Sequence, residues 1–188
     1  MKYSIASDKF RRKFAEQIEE ICGERISLCY QCGKCSAGCP VAYAMDYLPN
    51  QITRFVQLGL MDKAMESSTI WICASCQTCS VRCPRGIDLA KIMDALRILA
   101  KREGTVPKKQ IPPLFDGIFL GSIEKHGRLH EMSLITKLNI ASGRPFKDLS
   151  MLPGMLKRGK IRFRPERNNG GKEVRDLMRK VERLESRQ

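Results

Sequence analysis

At 188 residues, with 29% charged side chains and a formal net charge of +14, the chain has room for one domain, or one small domain with extensions. No run approaches the 18 consecutive apolar residues of a membrane helix, and Met1 to Ser7 lacks the apolar core of a secretory signal, so a cytoplasmic protein with no membrane span is expected. The charge is uneven: residues 1–83 carry +2 in all, residues 84–140 carry +4, and residues 141–188 carry +8.

In chain order, residues 8–22 are predicted to form an amphipathic helix. Asp8 is placed to cap it, Phe10, Phe14, Ile18, Ile21 and Cys22 share one face, and Gly23 is placed to end it. A dense run of cysteines follows. Asn50 to Leu58 reads as a second short helix with Ile52, Phe55 and Val56 inward and Gly59 as its stop, and Met61 to Glu66 as a third. After a second cysteine run, Asp88 caps a helix to about Arg102, with Leu89, Ile92, Met93, Leu96 and Leu99 on one face. Pro107, Pro112 and Pro113 mark a linker. Helices through Leu114 to Ile123 and Met132 to Leu138 come next, then an irregular apolar stretch Leu149 to Leu156 and a basic strip Arg158 to Arg167. A last helix carries Val174, Leu177, Met178, Val181 and Leu184 at helical spacing and reads as a docking face. The alternation that marks strands is nearly absent, so the fold class is all-α.

The cysteines carry the chemistry. Cys29, Cys32, Cys35 and Cys39 precede Pro40; Cys73, Cys76, Cys79 and Cys83 precede Pro84. Each run reads C-x2-C-x2-C-x3-C-P, the spacing of bacterial-type proteins that hold a pair of [4Fe-4S] clusters, in which the fourth cysteine of each run ligates the other cluster. Three thiolates on a tight turn meet three corners of one cube, and the fourth ligand arrives from elsewhere. The expected sets are Cys29, Cys32, Cys35 and Cys83 for one cluster, and Cys73, Cys76, Cys79 and Cys39 for the other. The 33 residues between the runs read as helical, which points to a helical ferredoxin domain. The expected organisation is an N-terminal helix in 1–28, the two-cluster domain in 29–104, and a basic helical extension for subunit docking in 105–188.

Other readings fit less well. Structural zinc wants four ligands from two knuckles, one arm fewer than each run supplies. Disulfides belong with secretion, of which there is no sign. Cys22, the ninth cysteine, reads as a buried thiol on a helix face. The stretch Gly154 to Lys160 fits G-x-x-x-x-G-K, but Ile161 stands where a phosphate loop needs Ser or Thr. His126 and His130 are four apart with no further ligand, and read as surface histidines. No dinucleotide fingerprint, Ser-His-Asp set or paired carboxylates can be argued, so no catalytic residue is expected. The basic strip matches no nucleic-acid motif, and a protein partner is expected instead.

At Tyr30-Gln31-Cys32-Gly33-Lys34-Cys35-Ser36-Ala37-Gly38-Cys39-Pro40, and at Trp71-Ile72-Cys73-Ala74-Ser75-Cys76 through Cys83-Pro84, the chain resembles the C-type iron-sulfur subunit of the CoB-CoM heterodisulfide reductases of methanogenic archaea. The overall size is similar too. The resemblance implies a soluble complex of three parts. An A-type subunit holds flavin and iron-sulfur clusters, and a B-type subunit reduces CoM-S-S-CoB to CoM-SH and CoB-SH. The C-type subunit would relay electrons through its two clusters from the flavin part to the catalytic part. The resemblance further implies that a hydrogenase or formate dehydrogenase feeds the flavin part, which splits electron pairs between ferredoxin and the heterodisulfide in methanogenesis. No CCG motif of the B-type kind is present, so catalysis is expected outside this chain. The cysteine pattern is shared with iron-sulfur subunits of other dehydrogenases and of sulfur-metabolising complexes, and a free-standing ferredoxin-like carrier is the remaining alternative.

Overall fold

Helix α1, Asp8–Cys22, ends where Gly23 turns left-handed (φ +70°), a conformation in which glycine meets no steric penalty. A computed structural model describes residues 8–106, 111–145, 147, 152–159 and 171–185, and among these there is no strand. The chain divides into two compact units, Met1–Pro107 and Lys108–Gln188.

In the first unit α1 buries Phe14 and Ile18 and packs on α3 (Pro49–Gln57) and α7 (Leu89–Arg102). Its polar face is put to use: Glu19 Oε1 accepts hydrogen bonds from the amides of Ile26 and Ser27, which turns the chain toward the first cysteine run. The burial of Phe10 lies outside the described side chains. Helix α3 starts where Gln51 Oε1 accepts from the Leu48 amide, and it buries Ile52 and Val56. Helix α4, Met61–Glu66, contributes Ala64 and Met65. Helix α7 is capped by Asp88, whose Oδ1 accepts from the amides of Ala90 (3.0 Å) and Lys91 (3.3 Å), and it buries Leu89, Ile92, Met93, Leu96 and Leu99. These side chains form one core, and each fully buried Ile, Leu or Met in it contributes roughly 1.5–3 kcal/mol. Cys22 is half-buried at its edge; burial, foremost, and the Glu24 charge push its thiol up.

Three short helices were not anticipated: α2 (Lys34–Ala37), α5 (Thr69–Ile72) and α6 (Thr78–Arg82). Each is about one turn, too short for an apolar periodicity to register.

In the second unit α8 (Ile111–His126) packs against α9 (Glu131–Ala141) and α11 (Gly171–Glu185). Pro112 and Pro113, expected in a linker, lie in the first turn of α8, where a missing N–H costs no helical bond. The stretch expected to be irregular contains α10, Leu152–Lys157, with Pro153 at its second position for the same reason. His126 ends α8 while His130 caps α9 by accepting from the Ser133 amide, so the two share no helix face. On α11, Val174 and Met178 are half-buried, whereas Leu177, Val181 and Leu184 are exposed. Most of the basic strip Arg158 to Arg167, and the Lys160 and Ile161 of the phosphate-loop lookalike, lie outside the described residues.

Candidate metal centre

The two cysteine runs share a backbone pattern. Between the first and second cysteine, Gln31 (φ +63°) and Ser75 (φ +48°) are left-handed; between the second and third, Gly33 (φ +76°) and Gln77 (φ +63°) are left-handed as well. Alternation of right- and left-handed residues turns successive amides toward one concavity, the arrangement that receives anionic iron-sulfur groups. Helices α2 and α6 start immediately after, and they pack on each other. Gly38, at the end of α2, lies against the Arg82 side chain; a Cβ there would come within 2.6 Å of Arg82 Cδ. The cysteine spacing announced these turns, but the left-handed Gln31, Ser75 and Gln77 carry no sequence signal.

The second cysteine of each run, Cys32 and Cys76, is exposed; Cys35 is buried, and Cys29, Cys39, Cys73, Cys79 and Cys83 are half-buried. Cys39 is brought into one pocket with Cys73, Cys76 and Cys79, although 34 residues separate it from Cys73. Pro40, Val41, Met45, Pro49, Leu89 and Met93 give the pocket apolar walls. On the other side, Tyr30 lies beside both Cys32 and Cys83; desolvation and then these two thiols push its phenol up. The Ile87 amide donates to Cys83 Sγ at 3.4 Å.

Burial raises the thiols of Cys35 and Cys79, opposed by hydrogen bonds from Ser36 and Ser80, and the neighbouring Cys29 and Cys73 add to the rise. Cys76 is lowered by the Thr78 hydroxyl, 3.4 Å away, and by the Thr78 amide. Ligation requires thiolates, so loading the buried positions releases protons.

The two runs are also anchored alike. The residue after each third cysteine is a serine. Ser36 Oγ donates to Asn50 Oδ1 on α3 at 2.6 Å; Ser80 Oγ donates to Asp88 Oδ1 at the start of α7, also at 2.6 Å. Beside the first run, Asn50 Nδ2 donates to Gln31 Oε1, and Gln31 Nε2 donates to Cys29 Sγ, each at 3.4 Å. Arg97 on α7 donates through Nε to the Ile70 carbonyl and through a terminal nitrogen to the Cys73 carbonyl, holding the entry to the second run. Asp46, which sequence reasoning passed over, binds the start of α5 with its carboxylate.

Among the described residues no three His, Cys, Asp or Glu side chains converge as a single metal ion requires. Cys39, Cys73, Cys76 and Cys79 line one pocket together with apolar residues, and such a soft donor set fits a polynuclear iron-sulfur cluster.

Comparison with known proteins agrees. Residues 25–87 match the family described as "4Fe-4S dicluster domain". Among relatives, the chain is 36% identical over 103 residues to the C-type iron-sulfur subunit of the CoB-CoM heterodisulfide reductase of Methanopyrus kandleri, covering 53% of this chain and 54% of that protein. It is 34% identical over 110 residues to a protein of the same description from Methanocaldococcus jannaschii, covering 54% and 59%. It is 43% identical over 79 residues to the C-type subunit of a ferredoxin:CoB-CoM heterodisulfide reductase of Methanosarcina acetivorans, covering 42% and 32%. The aligned part thus spans about half the length of the first two, and about half of this chain, less than the motifs alone suggested. Among the described residues no helix is long and apolar enough to cross a membrane. The chain is a helical iron-sulfur protein with two [4Fe-4S] clusters as its cofactors, similar over about half its length to the C-type subunit of heterodisulfide reductases.

Proposed function

We propose that the chain is the electron-relay subunit of a heterodisulfide reductase, conducting single electrons from an A-type flavin subunit to a B-type catalytic subunit that reduces CoM-S-S-CoB to CoM-SH and CoB-SH. The observation that carries the relay is the meeting of Cys39 with Cys73, Cys76 and Cys79 in one pocket. With α6, which leads into Cys83, packed on α2 of the first run, it supports the crossed sets: Cys29, Cys32, Cys35 and Cys83 on one side, and Cys73, Cys76, Cys79 and Cys39 on the other. Crossed ligands hold two clusters close together and make each depend on both runs. A cluster with four thiolate ligands supplies one-electron chemistry and has no open position for substrate.

The residues of the chain do the rest. The left-handed turns aim amides at the sites, the apolar walls exclude water, and the exposed Cys32 and Cys76 mark where each site comes nearest the surface. The heterodisulfide comes from the relatives' names, and the flavin and catalytic partners from what the resemblance of the two runs implies. Docking is supported by the second unit: its described part buries few side chains, while Leu120, Ile140, Leu177 and Leu184 stay exposed.

The test is an anaerobic pull-down of the native protein, with iron and acid-labile sulfide counted and partners identified by mass. The iron of two clusters together with a flavoprotein and a CCG-motif protein is the expected result. Full iron with no partner would make the chain a diffusible carrier, and other partners would move it to a different dehydrogenase or sulfur-metabolising complex. Cys39→Ser is expected to damage the cluster of the second run, and Cys83→Ser that of the first. Damage confined to the cluster of the same run would refute the crossed assignment.

A further inference from the structure

The two cluster sites repeat one geometry with one chemical difference. Ser36 Oγ stands 3.9 Å from Cys35 Sγ and 2.6 Å from Asn50 Oδ1. Ser80 Oγ stands 4.0 Å from Cys79 Sγ and 2.6 Å from Asp88 Oδ1. The first site therefore has a neutral amide where the second has a carboxylate, each bonded to the serine that follows the third ligand cysteine.

The amide also donates. Asn50 Nδ2 orients Gln31, and Gln31 Nε2 delivers an N–H to Cys29 Sγ. A carboxylate only accepts: Asp88 takes hydrogen bonds from Ser80 and the amides of Ala90 and Lys91. With its amide nitrogen turned toward the carboxylate, Gln77 donates to Asp88 at 3.2 Å as well. Ser75, the counterpart of Gln31, is too short to repeat its reach. Of the other charges near the second run, Lys91 pairs with Glu24 at 3.1 Å and Arg97 with Asp94 at 2.8 Å, while Arg82 turns toward Gly38 of the first run. The Asp88 carboxylate is the charge that stands where the first site has the Asn50 amide.

Reduction adds one negative charge to a cluster. A donor on a ligand sulfur stabilises that charge and raises the potential, and a neighbouring carboxylate opposes it and lowers the potential. We propose that the Asn50–Asp88 difference orders the two clusters, the cluster of the first run having the higher potential. With Asn50 and Gln31 beside one set of ligands and Asp88 beside the other, an electron on the pair would favour the cluster held by the first run. This rests on the relay reading only for the presence of two clusters, because Gln31 and Asn50 adjoin the first and third cysteines of the first run and Asp88 adjoins the third cysteine of the second, ligands that the crossing does not move.

The test is a redox titration of the full chain with both clusters, purified anaerobically and followed by electron paramagnetic resonance. Asn50→Asp makes the first site copy the second, and Asp88→Asn does the reverse while keeping a good helix cap. The wild type is expected to titrate in two steps. Asn50→Asp and Gln31→Glu each shift only the upper step negative, and Asp88→Asn shifts only the lower step positive, each by roughly a two- to tenfold change in the reduction equilibrium. A merely structural role would change thermal stability and leave both potentials in place. Unmoved steps, or steps that move together, in variants with full iron overturn the ordering alone. A wild-type chain lacking the iron of two clusters would overturn the relay reading itself.

Discussion

The carboxylate of Asp46 accepts hydrogen bonds from both the hydroxyl and the amide of Thr69, at 2.6 and 3.0 Å. Ser67 Oγ (2.7 Å) and the amides of Ser68 (2.8 Å) and Tyr47 (2.9 Å) donate to it as well. The chain leaving the first cysteine run is thereby tied to the helix that leads into the second. Partial burial opposes ionisation, but the bonds from Thr69, Ser67 and Ser68 outweigh it and hold the carboxyl well below the usual carboxylate range.

Asp46→Ala is expected to cost about 2 kcal/mol, because it strands several donors at the start of α5. The folded carboxyl is depressed, so its contribution is complete above about pH 4 and fades as pH falls below that value. Thermal unfolding of wild type and Asp46→Asn, compared between about pH 6 and pH 3, should show the gap closing on the acid side. A gap that widens with acid would refute the account.

Arg97 satisfies two backbone carbonyls, those of Ile70 and Cys73, with one planar guanidinium. Arg97→Leu should destabilise the first unit by about 2–3 kcal/mol and lower iron occupancy, with the second run's cluster lost first. Arg97→Lys should restore little of it, since an ammonium lacks the fork that spans both acceptors. Iron counts and cluster-specific spectra of both variants decide the matter.

Gly33 and Gln77 hold equivalent left-handed positions, at φ +76° and +63°. Gly33→Ala is expected to cost roughly 1 kcal/mol, because a Cβ is disfavoured in that conformation even though open space surrounds it. Gln77→Ala exchanges one left-handed L-residue for another and escapes that backbone cost. Anaerobic melting of the two variants should therefore show a clear drop for Gly33→Ala from its backbone alone, visible as earlier bleaching of the clusters.

Leu177 and Leu184 are exposed on α11, while Val174 and Met178 on the same helix are half-buried. Leu177→Asp with Leu184→Asp should weaken co-purification of partner proteins while leaving iron content and helicity unchanged, and deletion of residues 172–188 should weaken it further with iron content again intact. Undiminished partner recovery would remove α11 from the docking surface.

What the sequence determined by itself was local. The ligand spacing of both runs, the amphipathic faces of α1, α3 and α7, the Asp88 cap and the Gly23 stop all depend on neighbours within a turn or two. Interactions of that range leave their periodicity in the order of residues. The cysteines proposed as ligands stand out for the same reason, since eight of them in two identical runs admit few other readings.

Tertiary structure decided what joins distant parts of the chain. Cys39 reaches the pocket of Cys73, Asp46 meets Thr69 across 23 residues, and Arg97 reaches back to Cys73 across 24. The proline-bearing first turns of α8 and α10 read as breaks, because proline signals both an end and a beginning of helix. The matched roles of Asn50 and Asp88 appear only once α2 and α6 pack together and each run presents its serine to the helix that follows. Asn50 lies 14 residues from its serine and Asp88 only 8, so no repeat in the sequence links them; the equivalence is one of position in space.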